Sequence, residues 1–165
     1  MQTAQSNDIK VRRAHRGERA QIHGVFYRSV RDGAGAFYTE AQRAVWAPDP
    51  VPMADEFAAD DTRILWVAEH GGQIIGVLAL EPAGYLDLAF VLPEWMGRGV
   101  AQAMYAPLLE WAKESGLKRM TTHASHFARR FFEKQGWRVD SPETVTRDGQ
   151  DLERFCMSLD MMRIN

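Results

Sequence analysis

Hydrophobic and polar positions along the chain follow two periods, and their order predicts the elements. Ile9 to Arg13 reads as a short first strand. From about Gly17 to Arg31, Ile22, Val25, Phe26, Ser29 and Val30 fall three and four residues apart, the spacing of one helix face. Asp32-Gly33-Ala34-Gly35 interrupts that helix. Thr39 followed by Gln42 is a capping-box pattern, in which each side chain satisfies the other's free backbone N–H, so a second helix is expected from there to just before Pro48. Pro48, Pro50 and Pro52 predict a stiff loop, with a short helical piece at about Met53 to Ala58.

The middle of the chain changes to strand composition. Arg63 to Glu69 and Gln73 to Leu80 are rich in Ile, Leu, Val and Trp, with His70-Gly71-Gly72 as the hairpin turn between them. Pro82-Ala83-Gly84 turns into Tyr85 to Leu92, and the three strands predict an antiparallel meander whose long apolar runs need cover on both faces. From Gly99 the helical period returns: Val100, Ala103, Met104, Pro107, Leu108, Trp111 and Ala112 share one stripe up to Ser115-Gly116. Pro107 removes a backbone donor and crowds the carbonyl of Ala103, which predicts a bend. Arg119 to Ala124 returns to strand, and Ser125 is an N-cap for a helix through Gln135 that Gly136 terminates. Two further strands, about Trp137 to Thr146 and Leu152 to Leu159, flank the turn Arg147-Asp148-Gly149-Gln150.

Composition narrows the picture. The 165 residues suffice for one domain with a core, 45% of them are hydrophobic and 25% charged, and no internal repeat or linker divides them. A net charge of −2 supplies no global basic field for nucleic acid or an anionic membrane, so an anionic ligand must be held locally. The single cysteine, Cys156, forms no internal disulfide, no paired Cys/His spacing suggests zinc, and no metal is expected. The polar stretch Met1 to Asp8 reads as a frayed tail without a signal-peptide pattern, and no run approaches a membrane span, so a cytoplasmic protein is expected.

Strand, then Pro93-Glu94-Trp95-Met96-Gly97-Arg98-Gly99-Val100-Ala101, then a long amphipathic helix is an arrangement suited to phosphate. The N–H groups of a helix's first turn point outward with partial positive charge, and glycines let a ligand approach the backbone. A bare Gly-x-Gly equally well makes only a tight turn. Position 102 is Gln, so there is no Gly-x-Gly-x-x-Gly, and no Gly-Lys-Ser/Thr follows, which weakens dinucleotide and nucleoside-triphosphate readings.

Met96-Gly97-Arg98-Gly99-Val100-Ala101 resembles the Gln/Arg-x-x-Gly-x-Gly/Ala signature of the GNAT superfamily of N-acetyltransferases, with Met in place of Gln or Arg. Phe90-Val91-Leu92-Pro93-Glu94-Trp95 is similar to that family's Val-x-Pro-x-Tyr lead-in, and Ala128 to Trp137 resembles its Ala-x-x-Phe-Tyr-Glu-Lys-x-Gly-Phe segment. Tyr38 to Gln42 with Trp46-Ala47-Pro48 is similar to small bacterial YafP-like members. The resemblance implies an α/β (α+β) fold: a mostly antiparallel mixed sheet of six to seven strands flanked by helices, splayed between strands 4 and 5. It also implies acetyl-coenzyme A as co-substrate and direct acetyl transfer to the amine of a small molecule, by a monomer or homodimer. Backbone groups of Phe90 and Val91 would pair with the pantetheine arm, and the loop from Met96 through Gly97, Arg98, Gly99 and Val100 to Ala101 would cradle the pyrophosphate. Ser125, Arg129, Phe132 and, less directly, Lys134 complete the expected cofactor set, although singly the cations read as surface charges.

An amine attacks only when neutral, so a proton acceptor is needed. Asp87, on the fourth strand beside Tyr85 by two-residue alternation, is the expected base or amine anchor; equally, it is a sheet-face aspartate paired to a neighbouring arginine or hydroxyl. Phe132 occupies the family's tyrosine position and has no hydroxyl to protonate the departing thiolate, which can leave unaided with water supplying the proton, or with Ser125, Tyr85 or His123 as substitute donor. The acceptor pocket is expected to be aromatic, with Tyr38 and Trp46 its foremost candidates and Phe26 and Trp66 more readily core. Two other readings stand beside small-molecule acetylation: a non-catalytic acyl-coenzyme A sensor, and a protein or peptide N-acetyltransferase.

Overall fold

The computed structural model describes residues 8–52 and 61–164; the short helix expected at Met53 to Ala58 lies outside them. Seven strands form one sheet: β1 (Lys10–Arg13), β2 (Ile64–His70), β3 (Gln73–Leu80), β4 (Tyr85–Val91), β5 (Arg119–Ala124), β6 (Arg138–Arg147) and β7 (Gln150–Asp160), in the order β1-β2-β3-β4-β5-β7-β6. Every neighbouring pair is antiparallel except β4 and β5, which run parallel. The helices are α1 (Arg19–Arg31), α2 (Glu40–Trp46), α3 (Val100–Glu114) and α4 (His126–Lys134). Among the described residues no helix is long and apolar enough to cross a membrane.

Local chemistry sets the boundaries. The Thr39/Gln42 capping box forms in both directions, and α2 starts at the next residue. Ser125 accepts the Ala128 N–H and opens α4. α1 starts two residues later than its pattern suggests, because Arg16–Glu18 forms a 3₁₀ turn closed by Glu18 accepting the His15 N–H. α3 continues through Pro107 without interruption; of its expected stripe Val100, Met104, Leu108 and Ala112 are buried, and Ala103, Pro107 and Trp111 are half-buried.

β3 is buried from Ile74 to Leu80, which for a strand with alternating faces requires cover on both sides; α1 and α3 both pack against it. Gly76 permits the closest approach. A Cβ there would lie 2.8 Å from the Met104 methyl and 3.0 Å from a Val100 methyl, so its absence lets the first turns of α3 settle on β3 beside the loop that precedes them.

Candidate active site

The loop between β4 and α3 is built by local backbone geometry. After Val91 the chain makes a 3₁₀ turn at Pro93–Trp95, extends at Met96, and passes through positive φ at Gly97 (74°) and Gly99 (82°). Left-handed backbone costs an L-residue about 1–2 kcal/mol and glycine almost nothing, which accounts for both glycines. Nothing lies within 4 Å of where either Cβ would stand. Gly99 is the N-cap of α3 and no side chain caps that end, so the first-turn N–H groups face the loop without an internal partner from a capping residue. The arrangement fits the phosphates of a nucleotide-type ligand.

β4 and β5 stay together only at Tyr85↔Thr121 and Leu86↔Thr122, with the Thr122 hydroxyl donating to the Leu86 carbonyl at 2.8 Å. Beyond Leu86 no ladder joins them among the described residues, and β4 presents a free edge from Asp87 to Val91. Two cavities open along this splay. The larger, about 470 Å³, is walled by the Met96–Gln102 loop region, by Ala89 to Val91, and by Ala128, Phe131, Phe132 and Lys134 of α4. The second, about 330 Å³, is bounded by Phe26, Tyr38, Tyr85, Asp87, His123 and the β6–β7 residues Val145, Arg147 and Arg154. Trp46, Phe90 and Ser125 line both and therefore stand where one leads to the other.

The second cavity carries the polar chemistry. The Tyr85 hydroxyl and His123 Nδ1 are hydrogen-bonded at 2.7 Å, and His123 Nε2 lies 3.5 Å from Glu143 Oε2. Arg154 Nε donates to the same carboxylate at 2.7 Å and holds Glu143 below the usual carboxylate range. Burial, reinforced by the negative charge of Asp87, pushes the Tyr85 phenol up, so it is a neutral hydroxyl at neutral pH. Asp87 itself accepts a 2.6 Å bond from Arg63, whose guanidinium also grips Asp61.

A family model described as an acetyltransferase (GNAT) domain matches residues 36–156. The uncharacterised N-acetyltransferase YafP of Escherichia coli K12 is 30% identical over 152 residues, covering 92% of this chain and 95% of that protein. The chain belongs to the GNAT acetyltransferase family. It is accordingly an acetyl-coenzyme A-dependent acyltransferase. Solved structures share the fold: a GCN5-related N-acetyltransferase from Rhodopseudomonas palustris superposes with a TM-score of 0.82 at 24% identity, covering 97% of this chain and 99% of that one. The putative acetyltransferase YncA of Salmonella typhimurium, solved with acetyl-coenzyme A, gives 0.73 at 17% identity, with 96% of each chain covered.

Within the GNAT fold, the expected residues divide clearly. Phe90, Val91, Met96, Gly97, Gly99, Val100, Ala101, Ser125, Phe132 and Lys134 all line the larger cavity. Arg98 and Arg129 do not. Arg98 lies over the Trp95 ring, while Arg129 stacks on Phe155 and pairs with Glu133. Tyr85, Asp87, Tyr38 and Trp46 line the second cavity, but Tyr38 is only 5% exposed and its hydroxyl is committed to the Glu153 carbonyl and the His126 N–H, making it a fixed wall. Phe26, expected in the core, is half-buried and lines this cavity; Trp66 is buried as expected. Asp87 has the arginine partner that was its alternative reading. Glu143, Arg147 and Arg154 were missed: they reach the site only because β7 and β6 follow β5 in the sheet, an order that runs against the sequence. For Glu143 and Arg147 the local signal is their alternation with Val145 along one strand face of β6.

Proposed function

We propose that this acyltransferase acetylates the primary amine of a small molecule, with the acetyl-coenzyme A in the larger cavity and the amine in the smaller one. The observation that carries the reading is the meeting of the two cavities at Trp46, Phe90 and Ser125, where β4 leaves β5. Acetyl-coenzyme A supplies an activated thioester. The loop N–H groups from Gly97 to Ala101 would hold its phosphates, and the free β4 edge at Phe90 and Val91 would take its amide-bearing arm and polarise the thioester carbonyl. An acceptor site of about 330 Å³ lies at the small end of ligand pockets, which favours a small amine over an extended polypeptide.

The proton-acceptor role is assigned not to Asp87, whose carboxylate is held by Arg63, but to the line Tyr85–His123–Glu143. As the amine nitrogen forms the amide bond, its proton moves to the Tyr85 oxygen while the Tyr85 proton moves to His123 Nδ1. The resulting imidazolium faces the Glu143 carboxylate through Nε2. The thiolate leaves and is protonated from solvent, since Phe132 offers no donor.

Thiol release on mixing the protein with acetyl-coenzyme A and a panel of small primary amines, peptides and polyamines tests this. Turnover with at least one small amine, and a matching acetylated product by mass, is the expected result. Coenzyme A binding without release for any amine would overturn it in favour of a sensor, and release with peptides alone in favour of a peptide acetyltransferase.

A further inference from the structure

On the sheet face beside the acceptor cavity, three adjacent strands bring together an imidazole, a carboxylate and a thiol. His123 of β5 and Cys156 of β7 are direct register partners; Cys156 in turn faces Ser141 of β6, and Glu143 follows two residues on, on the same face. His123 Nε2, a Glu143 carboxylate oxygen and Cys156 Sγ all lie within 4.8 Å of one another. Glu143 Oε2 is 3.5 Å from His123 Nε2 and 3.7 Å from Cys156 Sγ. Tetrahedral zinc with ordinary Zn–N, Zn–O and Zn–S bonds needs ligand–ligand edges of about 3.4–3.6 Å, so those two edges are already close to formed.

We propose that His123, Glu143 and Cys156 form a zinc-binding site that shuts off the acetyl-transfer site. A thiolate, an imidazole and a carboxylate suit Zn²⁺ over harder cations, and three protein ligands leave a fourth position for water. The ligands stand on hydrogen-bonded strands, with His123 exposed and the other two half-buried, so the metal can enter without the sheet opening. Tyr85 supplies the outer partner that metal-bound histidines require: with Nε2 on the metal, Nδ1 carries the proton and donates to the Tyr85 oxygen. Binding converts Cys156–SH to a thiolate and releases one proton. Zn²⁺, the thiolate and Glu143 then sum to no net charge, so neighbouring Arg154 does not face a cationic centre and need only turn from Oε2 toward solvent or Oε1.

The link to activity rests on the proposed proton path through His123. In that path Nδ1 must be the acceptor for the Tyr85 proton; the metal fixes the opposite tautomer and reverses the hydrogen bond. Bound zinc therefore removes the proton acceptor while leaving the coenzyme A cavity untouched.

Chelator-stripped protein titrated with Zn²⁺ in buffers of different ionisation enthalpy should bind one equivalent and release one proton, and Co²⁺ should give tetrahedral d–d bands with a thiolate charge-transfer band. Cys156→Ser should abolish the charge-transfer band, and Cys156→Ser and Glu143→Gln should each weaken Zn²⁺ binding about tenfold or more. Circular dichroism would confirm that both variants fold, and Glu143, being less buried than the core, serves as the second probe should Cys156→Ser not fold. Absence of saturable binding, or affinity unchanged in both variants, would overturn the site. With an acceptor that turns over, Zn²⁺ should inhibit thioester consumption, EDTA should restore it, and the inhibition midpoint should shift in Cys156→Ser by the same factor as the affinity. Saturable Zn²⁺ binding with undiminished turnover would overturn the shut-off and count against His123 as proton acceptor, whereas lack of any turnover would count against the function and leave the binding measurements to decide the site.

Discussion

At the scale of single residues, the decisive question is which group takes the amine's proton. Asp87 stood out in the sequence because a carboxylate inside an apolar strand needs a reason, and the structure supplies one in Arg63. The sequence around His123 carries little signal, because its partners, Tyr85 from β4 and Glu143 from β6, lie 38 and 20 positions away with no spacing rule to connect them. His123→Gln should lower kcat by about 10²–10³-fold, in the range that removal of a general base produces, while leaving KM for acetyl-coenzyme A nearly unchanged. Tyr85→Phe should follow it in the same direction, since it cuts the path between the amine and Nδ1. Asp87→Asn, which removes a carboxylate held by Arg63 rather than one on the proton path, should lower kcat less than either, and steady-state kinetics on the three variants would rank them. Asp87→Asn as the most damaging of the three would return the base assignment to Asp87.

At the scale of elements, the sequence was most legible where structure is decided by neighbours along the chain. The capping box at Thr39, the N-cap at Ser125, the stripe of α3 and the turn before β3 are all local signals, and all are in place. The loop before α3 was equally legible, because positive φ favours glycine at 97 and 99 whatever surrounds them. Gly99→Ala separates a turn from a cradle. The left-handed backbone should cost about 1 kcal/mol of stability. The new methyl, meeting nothing within 4 Å beyond its own chain neighbours, would project where a ligand is expected and should weaken coenzyme A binding about tenfold or more. Calorimetric titration alongside a thermal melt checks both, and a stability loss with unchanged affinity would reduce the loop to a turn. Invisible in the sequence was the tie between α3 and the start of β6, where the Trp137 indole N–H donates to the Tyr105 hydroxyl at 2.9 Å with the two residues 3% and 2% exposed. Tyr105→Phe leaves a buried donor unpaired and should cost about 1–3 kcal/mol in denaturant unfolding.

At the scale of the whole molecule, the sheet's ends were the least readable part, since β6 crosses to the outer edge and β1 closes the opposite one through contacts distant in sequence. The four-residue β1 is held by its ladder to β2 and by charge. Arg12 donates to Glu18 at 2.9 and 2.6 Å, just ahead of α1, and to Glu69 of β2 at 3.2 Å, so one guanidinium fastens the edge strand to the helix entry and to its neighbour. The hydrogen bonds from Arg12, with a further one from the His15 N–H, hold the Glu18 carboxyl at about 2, against 4.5 for the free group. Arginine stays charged throughout, so the pH dependence belongs to Glu18. Its pKa is lower in the folded than in the unfolded chain; the stabilisation is therefore complete above about pH 5 and lost as pH falls toward 2. The pair is mostly shielded, with the two side chains 19% and 13% exposed, and about 2 kcal/mol is expected to disappear across that window. Unfolding by urea at a series of pH values should show this decline, and Glu18→Gln should be less stable at pH 7 by a similar amount yet fall less steeply below pH 5. Parallel curves for the two proteins between pH 5 and 2 would mean that the network at β1 does not couple protonation to folding.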